Sequence, residues 1–218
     1  TCFTGDYFQG INFEIVEELL TRYPLDGLFY NFFFVPKCYC KRCQKIVRDA
    51  TGAQVPLGDM MEPFYERWRH RTLADYTIRL NKHIKSFQPE TRLMVYHHMQ
   101  SGWDPRLMAP AVDIWAAQIS NPLLPNPYDH QPNGLYWPGE EAEKGKALKS
   151  ETPPWLVATY SETFSSRRVL QPSDRIGFQL AQAAAHGALS CAALNGVIQN
   201  QEDKRSLNSV DEHLATLA

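Results

Sequence analysis

Residues Leu28-Phe29-Tyr30-Asn31-Phe32-Phe33-Phe34-Val35 form a continuous apolar run almost without alternation. A strand wetted on one face would alternate apolar with polar, so this run predicts a strand buried on both faces, as parallel sheets require. An amphipathic helix precedes it, read from Ile11 to Arg22, with Ile11, Ile15 and Leu19 as one stripe and Val16 and Leu20 beside it. Pro24 stops that helix, and Asp26-Gly27 turns the chain.

The same pairing of buried strand and helix recurs along the chain. Lys45 to Ala50 reads as a helix closed by Thr51-Gly52. A long helix follows from Met61 to Phe87, carried by Trp68, Leu73, Tyr76, Leu80, Ile84 and Phe87, and Gln88-Pro89 ends it. Leu93 to Tyr96 is a short strand that delivers His97 and His98 at its C-terminal end. Val112 to Ile119 fits a strand or a short helix, and periodicity does not decide between them. Asn121 to Gly139 carries Pro122, Pro125, Pro127, Pro132 and Pro138 and reads as a long loop, a kind of segment that is often functional. A helix over Glu140 to Lys149 leads through Pro153-Pro154 to a strand at Trp155 to Tyr160. Ser173-Asp174 caps a helix bearing Ile176, Leu180, Ala184 and Ala188, and Leu189 to Leu194 is the last strand. The polar stretch from Gln199 holds a weakly amphipathic helix.

Alternating strands and helices imply an α/β fold with parallel strands joined by helical crossovers. A doubly wound sheet is one solution, but no Gly-rich phosphate loop follows any strand. The candidate polar groups follow several different strands, which suits a (β/α)8 TIM barrel better. Eight such units typically need ~250 residues, whereas the chain has 218 and begins Thr1-Cys2-Phe3. We therefore read residues 1–196 as the C-terminal part of a barrel, a fragment lacking the first strands. Residues 197–218 are read as a polar tail or terminal helix leading out of it. With 44% hydrophobic residues the chain can bury a sizeable core. Twenty-two basic against 24 acidic side chains, with no Lys/Arg block, argue against a nucleic-acid partner. The apolar run from Gly27 to Pro36 is well short of the roughly 20 residues that a membrane-spanning helix needs.

Three of the five cysteines fall at Cys38, Cys40 and Cys43, a C-x-C-x-x-C spacing. Thiolates this close can converge on one zinc in tetrahedral geometry and leave room for a fourth ligand. Cys2 is the natural candidate, because it precedes the helix whose following strand leads into the triplet. Four thiolates leave no open position, so such a zinc site is structural. The alternative is a set of reduced, unliganded thiols. Cys191 reads as a small core residue.

Thr1-Cys2 before a helix, then Asp26-Gly27-Leu28-Phe29-Tyr30-Asn31, then the cysteine triplet, together resemble the family 42 β-galactosidases. They equally resemble the uncharacterised relatives of that family, barrel glycoside hydrolases labelled hypothetical glycosyl hydrolases. Gln179 to Ala188 is similar to the family's helix and Ala-His-Gly-Ala turn before the last strand. The likeness covers most of residues 1 to 196. It implies a glycosidase barrel acting on a carbohydrate, and a zinc site joining a Cys after the third barrel strand to the triplet after the fourth. It also implies assembly into a homo-oligomer.

Retaining glycosidases use two carboxyl groups about 5 to 5.5 Å apart. The resemblance places the acid/base in an Asn-Glu pair after the fourth strand. Asn31 matches the Asn, but Phe32 stands at the Glu position, and a phenyl ring transfers no proton. The nucleophile is expected after the seventh strand, where Glu162 follows Trp155 to Tyr160. The alternative for Glu162 is an exposed loop carboxylate paired with Arg167 or Arg168; those arginines are in turn candidates for a substrate carboxylate. His97 and His98 follow another strand, and only one of two adjacent residues can face the barrel axis. Either can hydrogen-bond a sugar hydroxyl or serve structure alone. Trp103, Tyr136 and Trp137 can stack on sugar faces or act as packing anchors. His186 reads as a helix C-terminal residue favoured by the dipole.

Two classes of function follow. The first is a glycoside hydrolase-like protein with Asn31, His97 or His98, Trp137, Arg167 and Glu162 at the sugar site. The second is a non-catalytic carbohydrate-binding relative whose acid position has been lost to Phe32. A zinc-ribbon nucleic-acid binder is disfavoured, because paired C-x-x-C knuckles are missing and the charge is balanced.

Overall fold

A computed structural model describes residues 1–31, 34–58, 62–97, 104–119, 136–159, 170–193, 197–200, 204 and 207–217. The chain divides into two compact units. One comprises Thr1–Val95 with Gln100–Asp113, and the other Tyr96–Met99 with Ile114–Ala218.

In the first unit a π-helical turn, Tyr7–Ile11, runs into helix α1, Asn12–Arg22. The stripe that α1 buries is Asn12, Val16 and Leu20, while Ile11 and Ile15 are exposed. The apolar face is thus rotated by one position from the stripe read in the sequence. Asn12 fixes that rotation, since its amide is held inside by the hydroxyls of Tyr30 and Tyr76 at 3.1 and 2.5 Å. A buried amide needs such partners. Strand β1, Gly27–Tyr30, is shorter than the apolar run that announced it. Beyond it, Val35 is still buried, and its carbonyl accepts from the buried Arg69 guanidinium at 2.7 Å.

Helix α2, Lys41–Thr51, ends at Gly52, whose φ of 73° lies in the left-handed region. Helix α3, Pro63–Phe87, starts with Pro at a position where its missing N–H costs nothing. It buries Tyr65, Trp68, Leu73, Tyr76, Leu80 and Ile84 at helical spacing. Gln88 then ties α3 to α1: its amide donates to the Leu20 and Tyr23 carbonyls, and its oxygen accepts from Leu25 N–H. Strand β2, Arg92–Tyr96, pairs parallel with β1 in a register that sets Leu28 beside Leu93 and Tyr30 beside Val95. Helix α4, Pro105–Met108, and a 3-10 turn, Ala109–Ala111, follow. Asp113 closes the unit by accepting from Leu93 N–H at 2.8 Å and pairing with Lys85 at 2.9 Å.

The second unit resolves the ambiguous segment as a strand. Strand β3, Ile114–Ile119, pairs parallel with β4, Trp155–Thr159, and β4 with β5, Leu189–Ala193. No antiparallel pair occurs among the described strands. Helix α5, Trp137–Leu148, begins three residues earlier than the sequence suggested, because Trp137 and Pro138 form its first turn rather than the end of a loop. Helix α6, Ser173–Ala185, is preceded by Pro172, and Ser173 is its first residue; no side chain caps it. Its C-terminal end is a Schellman turn, with Ala188 N–H on the Ala183 carbonyl and Gly187 N–H on that of Ala184, at 2.9 Å each. Gly187, with φ of 73°, supplies the left-handed residue such a turn needs. Ala117, Ile119, Trp137, Ala142, Leu156 and Ala183 form one core of this unit. Ala158, Leu170, Ile176, Leu180 and Val210 form another. Val210 lies on helix α7, Leu207–Leu217, so the terminal helix packs on α6. No helix of the described residues is long and apolar enough to cross a membrane.

Candidate functional site

Two constellations of chemistry-bearing side chains stand out, one in each unit. In the first, Cys2 comes from the segment before the π turn, and Cys38, Cys40 and Cys43 come from the approach to α2 and its first turn. Their four sulfurs lie within 4.8 Å of one another. Cys2 Sγ is 3.8 Å from Cys40 Sγ and 3.3 Å from Cys43 Sγ. Tetrahedral thiolate ligation with Zn–S of about 2.3 Å requires sulfurs about 3.8 Å apart, so the donor set fits one thiophilic ion. The spacing works because Cys40 caps α2, its sulfur accepting from Cys43 N–H at 3.4 Å, while Cys43 is one turn into the helix. Tyr39 anchors the loop by donating its hydroxyl to the Pro56 carbonyl at 2.8 Å.

The thiols are electrostatically unequal. Burial works to raise Cys2, yet hydrogen bonds from Thr4 and Cys43 outweigh it and bring the thiol down to about 6. Cys43 moves the other way, pushed up by burial. At Cys38 the backbone N–H of Cys40 favours the thiolate, but burial and the neighbouring sulfurs prevail, and the net direction is up.

Asn31 ends the first strand, immediately after Tyr30, and is exposed. It lies at the C-terminal end of β1. Phe32, Glu162, His98, Arg167, Arg168 and Trp103 lie outside the described residues.

In the second unit His97, just past β2, is buried. Of the two roles open to it in the sequence, a contact to a sugar hydroxyl or a structural one, its surroundings favour the second. Its Nε2 lies 3.0 Å from Glu141 Oε2, and the ring is pinned inside the unit. Trp137, read as a candidate stacking surface, is 5% exposed and donates its indole N–H to Glu141 Oε1 at 3.2 Å. Lys144 reaches the same oxygen at 3.0 Å from the solvent side. Both aromatic candidates thus converge on a residue that the sequence reading did not single out. Burial alone would raise the Glu141 carboxyl, but His97 and Lys144 more than offset it and hold the group at about 2. Glu141 was hidden because a Glu three residues before a Lys reads as a solvated helix face; the Trp137/Glu141 spacing of four was the available signal. His186 caps the end of α6 as expected and pairs with Glu143 at 3.1 Å.

No protein-family model matches the chain. No curated protein matches it either. Solved structures do. A cold-adapted β-galactosidase from Rahnella sp. R3 superposes with a TM-score of 0.69 at 16% identity, over 97% of this chain and 38% of that one. An α-L-fucosidase isoenzyme 2 from Paenibacillus thiaminolyticus gives 0.69 at 19% identity, over 99% and 30%. A GH42 β-galactosidase from G. stearothermophilus gives 0.72 at 15% identity, over 99% and 40%. The chain therefore has a glycoside hydrolase-like fold along nearly its whole length and spans between three and four tenths of these relatives.

Proposed function

We propose that this chain carries part of the sugar site of a glycoside hydrolase-like barrel acting on a glycosidic bond. The observation that carries the proposal is the likeness over at least 97% of the chain to β-galactosidases and an α-L-fucosidase, all of them enzymes of glycosidic bonds by name. Within it, Asn31 at the end of β1 hydrogen-bonds a sugar hydroxyl. Glu162, following β4, is the carboxylate that attacks or stabilises the developing oxocarbenium centre. Phe32 cannot donate the proton that the leaving oxygen needs, so another carboxyl group of the protein serves as the acid. His98 and Arg167 remain candidate sugar contacts, whereas His97 and Trp137 act from behind, by holding Glu141.

Zinc is the ion we assign to Cys2, Cys38, Cys40 and Cys43, on the softness of four thiolates and their tetrahedral spacing. Such an ion supplies no chemistry to the reaction. It ties the segment before α1 to the start of α2, on either side of the strand that presents Asn31.

A second reading, a carbohydrate-binding relative without catalysis, is favoured by Phe32 alone. The deciding experiment measures hydrolysis of aryl β-galactosides and aryl α-L-fucosides by the protein and by Glu162→Gln, with sugar binding measured in parallel. Turnover that falls about a thousandfold or more in the variant is expected for a nucleophile. Equal turnover by both proteins removes Glu162 from the reaction. Sugar binding without turnover by either favours the binding protein.

A further inference from the structure

The Thr4 hydroxyl lies between two of the four cysteine sulfurs, 3.1 Å from Cys43 Sγ and 3.3 Å from Cys2 Sγ. We propose that Thr4 is a positioning residue of the metal centre, whose hydroxyl donates a hydrogen bond to a metal-bound thiolate and so tightens the site's hold on its ion. This rests on the metal reading above and deepens it.

Four thiolates around one divalent cation leave a net charge of about −2. The cluster is only partly open to water, with Cys43 buried and Cys2 and Cys38 half-buried. The surplus charge must then be spread over protein donors. Cys43 N–H serves Cys40, and the Arg42 guanidinium adds a favourable charge toward Cys2 and Cys40. Between Cys2 and Cys43, whose sulfurs are 3.3 Å apart, the hydroxyl of Thr4 completes the set. Metal-bound thiolates carry no proton, so the hydroxyl is the donor there and sulfur the acceptor.

Thr4 is also fixed in place. Its carbonyl accepts from Arg42 Nη1 at 3.0 Å, and the same nitrogen pairs with Asp6 at 2.8 Å. Gly5 N–H closes a turn onto the Cys2 carbonyl at 3.0 Å, and a Cβ at Gly5 would meet that carbonyl oxygen at 3.0 Å. Arg42 sits inside the cysteine triplet itself, in the first turn of α2, so the segment that brings three of the sulfurs also holds the loop that brings the fourth. Outer partners of this kind tune metal affinity by about 10- to 100-fold.

The test compares the protein with Thr4→Val, which keeps the shape and loses the hydroxyl, and Thr4→Ser, which keeps the hydroxyl. Thr4→Ala stands in where Thr4→Val does not fold. Zinc affinity is measured by competition with a chromophoric chelator, and the thiolate-to-metal charge-transfer band is recorded on the cobalt-loaded protein. Thr4→Val should bind zinc about tenfold more weakly or worse, with its cobalt band moved to lower energy because the sulfur has lost a hydrogen bond. Thr4→Ser should retain most of the affinity and the wild-type band. Unchanged affinity and band in Thr4→Val overturn the proposal, as does equal weakening in Thr4→Ser. A wild-type protein that binds neither ion overturns the metal reading and this one with it, and that failure is visible before any variant is made.

Discussion

His97 Nε2 lies 3.0 Å from Glu141 Oε2, with the two side chains 2% and 1% exposed. His97 comes just after β2 and Glu141 from the second turn of α5, so the contact fastens the start of that helix within the second unit. Removing the charge leaves the buried His97 ring facing a neutral amide, while Lys144, half exposed, turns to solvent. Breaking one side of a buried pair costs about 3 to 5 kcal/mol, and we expect Glu141→Gln to cost about 3 kcal/mol in urea unfolding. Glu140→Gln, which removes only a half-exposed partner of Lys144, should change stability by less than about 1 kcal/mol.

The same carboxyl gives an acid limb to stability. Its pKa is held at about 2 in the folded chain against an ordinary 4.5. Above pH 4.5 both folded and unfolded chains carry the charge, and the stabilisation is fully present. As pH falls from 4.5 toward 2, the unfolded chain takes up a proton that folded Glu141 refuses, and stability is lost across that window. The loss is of order 3 kcal/mol. Urea midpoints of the wild type and Glu141→Gln should therefore converge as pH falls from 5 to 2. A gap that stays constant over this range would show that ionisation of Glu141 is not the source of the stabilisation.

The thiolate centre makes a separate prediction. Purified protein should hold one zinc per chain, and a strong chelator should lower its Tm, because ligation energy is folding energy where ligands come from distant segments. Cys43→Ser should lose the metal, since it removes the most buried of the four sulfurs. Cys191→Ser, a change at a cysteine on β5 outside the cluster, should leave metal content unchanged. Metal content by atomic emission and thermal melts check all three. Retention of stoichiometric zinc by Cys43→Ser would count against the four-ligand centre.

Much of this molecule was legible in the sequence where one kind of physics dominates. The strand positions at 27–30, 92–96, 155–159 and 189–193 match the apolar runs, although β4 alone of these four is buried almost throughout, while β1 and β5 are only half-buried. The convergence of Cys2 on the cysteine triplet was legible too, from the close spacing of the three and the place of Cys2 before the preceding helix. What the sequence hid were places where tertiary context reverses a local signal. Ile11 and Ile15 look like core but are exposed, because Asn12 turns inward to two tyrosine hydroxyls. Glu141 looks solvated but is buried, because His97, far away in sequence, and the Trp137 indole N–H meet its carboxylate inside the unit. Tyr65 and Arg69 are buried on α3 without having stood out in the sequence, and Arg69 secures the Val35 carbonyl between β1 and the cysteines.

The packing of α7 on α6 offers the last prediction. Gly177 is buried in α6, and a Cβ added there would overlap the imidazole of His213 on α7, meeting Cδ2 at 2.5 Å and Cε1 at 2.7 Å. Glycine inside a helix costs about 1 kcal/mol relative to alanine, so the residue is held there by the neighbouring ring rather than by helix propensity. Gly177→Ala should therefore be destabilising, since overpacking costs about 1 to 3 kcal/mol and exceeds the propensity gain. In a His213→Ala background the obstruction is gone, and the same substitution should stabilise by about 1 kcal/mol. The four proteins of this double-mutant cycle, unfolded in urea, should show a coupling of at least about 1 kcal/mol. If Gly177→Ala has the same effect with and without the histidine ring, α6 and α7 do not approach each other through this pair.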